Sequence, residues 1–181
     1  MGHFEKTSES ELIFEGRILT LKKDTVILEN GAIATREVVE HDGGVTVVPV
    51  TDDGDIILVS QYRYPYKSEL LETPAGKLNK GEDPFECGKR ELKEETGAVA
   101  NRYIDLGTMY PSPGYCSETI YMYLATGLSF EEQKLDEDEF LSVVKLPFKK
   151  AVDMVLNGEI SDAKTQIAIL KAYFIIHSGK I

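Results

Sequence analysis

The sequence predicts an α+β protein, a mixed sandwich of strands and helices with a β arm at the N-terminus. Three observations favour this class. Short strand-like runs with turn signals fill residues 1–59, a capped helix pattern covers residues 83–97, and two more helix patterns follow residue 147. Helices placed between and after groups of strands are typical of a mixed α+β sandwich.

The composition limits the function classes. With 181 residues, 42% hydrophobic and 28% charged, the chain is long enough for one domain with a small appended element, and it is not wholly disordered. Its formal charge of −11 makes nucleic acid and anionic membranes poor partners, although a metal ion can still bridge it to a phosphorylated small ligand. Two cysteines, no apolar signal core and no long apolar run predict a soluble cytoplasmic protein.

The first element is an N-terminal arm over residues 1–42. The Asn30-Gly31 pair between β-rich runs is a strong hairpin signal. A composition break at residues 41–44 separates the arm from a main domain over residues 43–181. The arm's strands are expected at residues 13–21, 23–28 and 34–39.

The main domain begins with two apolar runs, residues 45–50 and 56–59, joined by an acidic, glycine-containing turn. This pattern predicts a second hairpin inside a sheet. Further strands are expected at residues 103–110, 119–125 and 140–146, and closing helices at residues 148–156 and 163–177.

Residues 84–96 have the signals of a capped helix. Asp83 suits the N-cap and Pro84 the first turn, while Glu86 supplies the third-position carboxylate of a capping box. Gly97 is a typical helix stop.

Three carboxylates crowd one turn of this helix: Glu91, Glu94 and Glu95. Gly88 lies above them, although glycine within a helix costs up to about 1 kcal/mol. Both oddities fit a face that binds divalent cations and that a ligand or another backbone approaches at Gly88. The alternative from helix geometry alone is a solvated acidic face with Arg90 and Lys93 as ion-pair partners.

The segment from Gly76 to Ala98, GKLNKGEDPFECGKRELKEETGA, resembles the Nudix box. That motif has Gly, five residues, Glu, seven residues and then Arg-Glu-aliphatic-x-Glu-Glu-x-Gly. The positions that match are Gly76, Glu82, Arg90, Glu91, Leu92, Glu94, Glu95 and Gly97. The resemblance implies the Nudix fold, an α/β/α sandwich with a mixed sheet, and a loop–helix–loop that holds divalent metal.

The resemblance also implies roles for the box residues. Glu91 and Glu95 match the principal metal ligands, and Glu94 matches a further ligand. Glu82 and Arg90 match the supporting pair that orients them, with Gly76 at the head of the motif. Hard carboxylate oxygens suit Mg²⁺, with Mn²⁺ as a substitute.

The flanking sequence is similar to the ADP-ribose pyrophosphatase subgroup of this family. Pro113 lies sixteen residues after Gly97, as in that subgroup, although the PSPG segment would form a turn in any case. Other segments with the same similarity, in the same order, are TREVVEH at 35–41, QYRYP at 61–65, ETPAG at 72–76, LDEDEF at 135–140 and SDAKT at 161–165.

Carried over by position, Arg36 and Arg63 match residues that contact the phosphates and ribose. Glu72 matches a substrate-side acid, and Ala75 a backbone carbonyl that binds metal. The alternative for Arg36 is an ordinary exposed strand arginine.

In the acidic segment, Glu139 matches a loop acid that acts as general base or binds metal through water. Glu137, two residues away, is the other candidate, and an acidic loop also needs no function. Glu118, in the loop after PSPG, is a further candidate for the substrate pocket, as is Pro113.

The resemblance therefore implies a Mg²⁺-dependent hydrolase that cleaves ADP-ribose to AMP and ribose 5-phosphate. Alternatives are another nucleoside diphosphate sugar or modified nucleotide as substrate, or a sensor that binds ADP-ribose without cutting it. The subgroup commonly forms homodimers in which the arm crosses to the partner, whereas a hairpin folded on its own chain remains the alternative.

Overall fold

The computed structural model describes residues 2–135 and 140–179. In these residues ten strands and three helices follow one another along the chain. Their order is β1 (Lys6–Glu15), β2 (Thr20–Ile27), β3 (Ile33–Glu40), β4 (Gly44–Pro49), β5 (Asp55–Arg63), β6 (Ser68–Glu72), β7 (Ala75–Lys77), α1 (Pro84–Thr96), β8 (Ala98–Met109), β9 (Ile120–Phe130), β10 (Leu141–Pro147), α2 (Phe148–Leu156) and α3 (Ala163–His177).

The chain divides into two compact units. The first contains residues 1–43 and 110–119. Its strands β1, β2 and β3 form an antiparallel sheet in that order. Val39 ties the segment 110–119 to β3, because its N–H donates to the Tyr115 carbonyl at 2.7 Å and its carbonyl accepts from Ser117 N at 2.9 Å.

The predicted strand over residues 13–21 is wrong, because a turn interrupts it. Gly16 N donates to the Leu19 carbonyl at 3.0 Å, so that β1 ends at Glu15 and β2 begins at Thr20. The predicted turn at Asn30-Gly31 is confirmed, since Leu28 N donates to the Ala32 carbonyl across it at 2.9 Å.

The second unit contains residues 44–109 and 120–181 and has two sheets. One is mixed, with the order β7-β4-β9-β8 and a parallel pairing of β4 with β9. The other has the antiparallel order β10-β5-β6. The predicted hairpin of residues 45–50 with 56–59 is limited to one antiparallel bridge, Val50 opposite Ile56, because β4 pairs with β7 and β9, and β5 belongs to the other sheet.

Strand β4 lies at the centre of the second unit and is buried along its whole length. Val47 packs with Leu92 of α1, whereas Val48 belongs to the cluster that contains Ile169 of α3. Since neighbouring strand residues point to opposite faces, α1 and α3 cover opposite faces of the mixed sheet. The predicted α/β/α sandwich is confirmed.

The three helices occupy the predicted positions. Strands β8 and β9 are longer than predicted, because their antiparallel ladder begins with Ala98 opposite Phe130. In the described ranges no helix has the length and apolar character needed to cross a membrane.

Candidate active site

Local sequence signals fix both ends of α1, the helix that carries Glu91, Glu94 and Glu95. The Asp83 side chain accepts from the N–H groups of Phe85 and Glu86. At the other end Gly97 has φ of 71° and donates its N–H to the Lys93 carbonyl. An added Cβ at Gly97 would lie 2.5 Å from the Glu131 carbonyl, so no larger residue fits. The predicted N-cap at Asp83 and helix stop at Gly97 are confirmed, whereas the Glu86 carboxylate, predicted for a capping box, accepts hydrogen bonds from Lys89.

Within this frame the glutamates differ in burial. Glu91 and Glu95 are 8% and 2% exposed, whereas the Glu94 side chain is 38% exposed. Two acidic side chains buried one turn apart cost free energy unless other groups or cations compensate their charge. This helix face is therefore not the solvated acidic surface that was the alternative interpretation.

The backbone of β7 lies directly against these acids. Ala75 N donates to Glu95 Oε2 at 2.9 Å, which joins the first residue of β7 to the last turn of α1. A Cβ on Gly76 would lie 1.9 Å from Glu91 Cδ, so this glycine leaves the space that the Glu91 carboxylate occupies. Gly76 and Glu91, 15 positions apart in the sequence, therefore lie so close together that a side chain at position 76 would overlap the Glu91 carboxylate.

Arg90 connects the loop before α1 to the helix acids. Its Nε donates to Glu82 Oε1 at 3.0 Å, and its Nη1 lies 2.7 Å from Glu91 Oε1 and 2.9 Å from Glu94 Oε2. The hydrogen bond from Arg90 lowers the pKa of Glu82 to about 2, and the same bond raises the pKa of Arg90. The pair therefore stays charged across the physiological range.

The donor set fits a hard divalent cation. Among the side chains that the structure describes, no three acid, histidine or cysteine groups yet converge in ligating positions. However, one cationic nitrogen, Arg90 Nη1, already contacts both Glu91 and Glu94. These oxygens are therefore within reach of a single cation, and carboxylate oxygens are the ligands that Mg²⁺ and Mn²⁺ prefer.

Gly88 has a packing role. A Cβ there would lie 3.1 Å from Val45 Cγ2, 3.3 Å from Val47 Cγ2 and 3.4 Å from the Tyr123 ring. The structure thus explains this mid-helix glycine by the close approach of α1 to the sheet. The expected ligand or backbone approach at this position is wrong, because side chains of the sheet fill the space.

The second group of predicted residues lies at the end of β6. Glu72 is 1% exposed and accepts two hydrogen bonds from Arg63, at 2.6 and 2.7 Å, and one from Lys164. Burial raises the pKa of Glu72, but Arg63 and Lys164 outweigh it, so the net pKa is lowered. Lys164 is not among the residues predicted from the sequence, although the SDAKT segment contains it and its side chain contacts Glu72.

The remaining predicted residues lie either in the first unit or outside the residues that the structure describes. Arg36 lies on β3 with its side chain 42% exposed and pairs with Glu5, from Nε to Oε2 at 2.9 Å. Pro113 is exposed, and Glu118 Oε1 lies 3.5 Å from His41 Nδ1. Two acids, Glu137 and Glu139, lie outside the described residues.

The Glu82 pKa predicts a pH effect on stability. A carboxyl with a lowered folded-state pKa stabilises the fold above its ordinary value of 4.5, and this contribution is lost as the pH falls towards 2. Glu82→Gln should therefore flatten the loss of stability over this window, measured as urea midpoints in a pH series without metal. Parallel profiles for the two proteins would contradict the assignment.

The cysteines should differ in reactivity. Cys87 is fully buried below Arg90, and burial raises its pKa to about 12, whereas Cys116 is partly exposed. Because the thiolate is the reactive form, a disulfide reagent at pH 8 should modify Cys116 in the native protein and Cys87 only after unfolding. Cys116→Ser should abolish the fast reaction; fast modification of Cys87 in the native state is the contrary result.

Comparisons with known proteins agree with this geometry. The NUDIX domain model matches residues 40–166, and the model of the nucleoside diphosphate sugar hydrolase N-terminal domain matches residues 5–39. An ADP-ribose pyrophosphatase of Bacillus subtilis (strain 168) is 44% identical, over 91% of this chain and 90% of its own. A methanol dehydrogenase activator of Bacillus methanolicus is 43% identical over the same shares.

A solved structure agrees as well. The crystal structure of an ADP compounds hydrolase superposes with a TM-score of 0.84 at 25% identity, over 98% of this chain and 97% of that one. Nudix hydrolases generally use divalent metal, as the buried carboxylates here allow. Since the box residues lie on β7, on α1 and in the segments that adjoin them, and the domain model matches residues 40–166, the chain belongs to the Nudix family of hydrolases.

Proposed function

We propose that this enzyme is an ADP-ribose pyrophosphatase that hydrolyses ADP-ribose to AMP and ribose 5-phosphate. The observation that supports the proposal is the buried Glu95 carboxylate of the Nudix box, which accepts a hydrogen bond from Ala75 N, because an acid proposed to bind metal is thereby held against a backbone edge. The relative named ADP-ribose pyrophosphatase, similar over nine-tenths of both chains, supports this choice of substrate.

Mg²⁺ is the proposed cofactor, with Mn²⁺ as a substitute. Glu91, Glu94, Glu95 and the Ala75 carbonyl would hold it, and Arg90 with Glu82 would keep these glutamates in place. When bound, the metal would supply charge neutralisation at the pyrophosphate and lower the pKa of water.

The chain's own residues would divide the remaining work. Arg63 would bind phosphate or ribose oxygens while Glu72 fixes its guanidinium plane through two hydrogen bonds. Arg36, Pro113 and Glu118 would contribute to substrate binding. A carboxylate in the acidic segment, Glu139 with Glu137 as the other candidate, would accept the proton of the attacking water.

Another nucleoside diphosphate sugar is the second candidate substrate, which the N-terminal domain match favours. A sensor that binds without cutting is less consistent with the site, because a pure binding module has little use for buried, crowded acids. The test is a panel of nucleoside diphosphate sugars with Mg²⁺, with products resolved by chromatography. We expect the highest kcat/KM for ADP-ribose, and no hydrolysis when a chelator removes the metal. A higher kcat/KM for another nucleoside diphosphate sugar would support the second candidate.

We also propose a cytoplasmic homodimer in which the arm, residues 1–42, contacts the second copy. Strand β1 is exposed along its whole length, and Leu12, Ile13 and Phe14 are each at least 50% exposed. Apolar side chains on an edge strand favour association. The two free cysteines are consistent with a reducing compartment. Light scattering should show a dimer that deletion of residues 1–42 converts to monomer, and a full-length monomer at micromolar concentration excludes this arrangement.

Arg36→Ala tests whether the arm binds substrate. Loss of a contact made equally in ground and transition states raises KM without changing kcat. We therefore expect KM for ADP-ribose to rise about tenfold, the scale of one charge-assisted hydrogen bond, with kcat within a few-fold. Lys22→Ala is the matched control, since Lys22 is a cation on the same sheet that pairs with Glu40. An unchanged KM in Arg36→Ala would make Arg36 an ordinary surface arginine.

A further inference from the structure

A two-residue crossover joins the two sheets of the second unit. Glu72 ends β6, Ala75 begins β7, and Thr73 and Pro74 lie between them. The crossover thus has a proposed substrate-side acid at one end and a proposed metal-binding carbonyl at the other. The positions of both depend on how its middle is held.

The first turn of α3 holds this middle. Thr165 Oγ1 accepts from Thr73 N at 2.9 Å and lies 3.2 Å from the Thr73 hydroxyl, and both residues are fully buried. From β4, the Thr46 hydroxyl lies 2.7 Å from that of Thr73 and donates to the Pro74 carbonyl at 3.1 Å. Asp162 accepts from Thr165 N, which fixes the turn itself. The three buried hydroxyls form one connected network.

The same turn also holds the acid at the start of the crossover. Lys164 Nζ donates to Glu72, 92 positions away in the sequence, and to Asp162 at 3.0 Å. At the other end of the crossover, Ala75 N donates to Glu95. A continuous path of hydrogen bonds and backbone therefore leads from α3 to the most buried box glutamate.

We propose that Thr165 and Lys164 are positioning residues for the hydrolysis, which set the crossover and thereby place Ala75 against Glu95 and hold Glu72. This inference rests on the proposed function for the roles of Ala75 and Glu72. Without the Thr165 hydroxyl, the buried Thr73 N–H loses its acceptor, and the crossover must shift to regain one. A displacement of about 1 Å in such a segment can cost about a hundredfold in rate.

The first test compares Thr165→Val with Thr165→Ser. The valine variant keeps the shape and loses the hydroxyl, whereas serine keeps the hydroxyl. Direct Mn²⁺ titration, followed by the electron paramagnetic resonance signal of free Mn²⁺, should show binding weakened about fivefold or more in Thr165→Val, and kcat at saturating metal should fall at least about tenfold. Serine should restore both values to within about twofold of wild type.

The control is Thr51→Val, because the Thr51 hydroxyl also accepts one backbone N–H, from Asp55 at 3.1 Å, but in the turn before β5. It should leave Mn²⁺ affinity and kcat unchanged. Wild-type affinity and kcat in folded Thr165→Val would overturn the role of Thr165, as would an equal loss in Thr51→Val. If Thr165→Val does not fold, Thr46→Val decides the same question from the other side of the crossover.

Lys164→Met tests the hold on Glu72 and uses Lys171→Met, an exposed position on the same helix, as its control. We expect Lys164→Met to raise KM about tenfold, while the melting temperature of the metal-free protein stays within a few degrees of the wild-type value. Lys171→Met should leave both KM and the melting temperature unchanged. Equal KM values in both variants would overturn the role of Lys164. If the wild type hydrolyses none of the panel, the proposed function fails, but the Mn²⁺ titrations still decide the positioning role of Thr165.

Discussion

Glu95→Gln is expected to lower kcat at saturating Mg²⁺ by at least about a hundredfold while the fold persists. Glu95 is 2% exposed, and its Oε2 accepts from Ala75 N. Glutamine keeps the shape and an oxygen for that hydrogen bond, but it lacks the negative charge that binds a cation. Steady-state kinetics and Mn²⁺ titration measure the loss, and circular dichroism reports the fold.

The metal-free variant should be at least as stable as the wild type, because one of the crowded carboxylates of α1 has become neutral. Glu86→Gln is the matched control on the same helix, since Glu86 is exposed and pairs with Lys89. The control should keep wild-type turnover. Near-normal turnover of Glu95→Gln would remove Glu95 from the proposed metal site.

Gly76→Ala should have the second large effect, on activity and stability together. The added Cβ would lie 1.9 Å from Glu91 Cδ and 2.0 and 2.4 Å from its two oxygens. Since such distances are impossible, the Glu91 carboxylate or strand β7 must move. We expect a loss of stability of about 1–3 kcal/mol, the usual cost of overpacking, and a fall in kcat of at least about a hundredfold. Urea unfolding and steady-state kinetics measure the two effects.

A double-mutant cycle on stability identifies the cause. If the clash is with Glu91, then Gly76→Ala should cost much less stability in a Glu91→Ala background than in the wild type. Equal costs in both backgrounds would show that contacts other than the clash with Glu91 disfavour alanine at position 76. Wild-type stability and turnover of Gly76→Ala would contradict the close contact between position 76 and the Glu91 carboxylate.

Local signals were sufficient for the helices and for the arrangement of acids on α1. Asp83 and Gly97 cap the helix and Pro84 begins it, and their effects depend on a few neighbouring backbone groups. Helix geometry then places Glu91 and Glu95 on one stripe without reference to the rest of the chain. The box spacing could therefore be interpreted as a divalent-metal motif from the sequence alone.

Sheet pairing could not be predicted in the same way. Residues 45–50 and 56–59 have every local feature of a hairpin, yet β7 and β9 occupy both edges of β4, and both strands come later in the chain. The edge that a strand finally uses depends on competition among all strands of the fold. Apolar patterning identified both runs as buried strands, but it carried no information about this competition.

By itself, the sequence determined the family, the helix that carries most of the Nudix box and the acids on that helix, because each depends on residues within about one short segment. Only the tertiary structure shows that Gly88 lets α1 pack closely against the sheet and that Gly76 leaves space for the Glu91 carboxylate. It alone also shows that Lys164 and Thr165 form hydrogen bonds to the crossover between β6 and β7. The physical reason is sequence distance: the bonds of α3 to the crossover join groups 92 positions apart, and only the packed sheets bring them together.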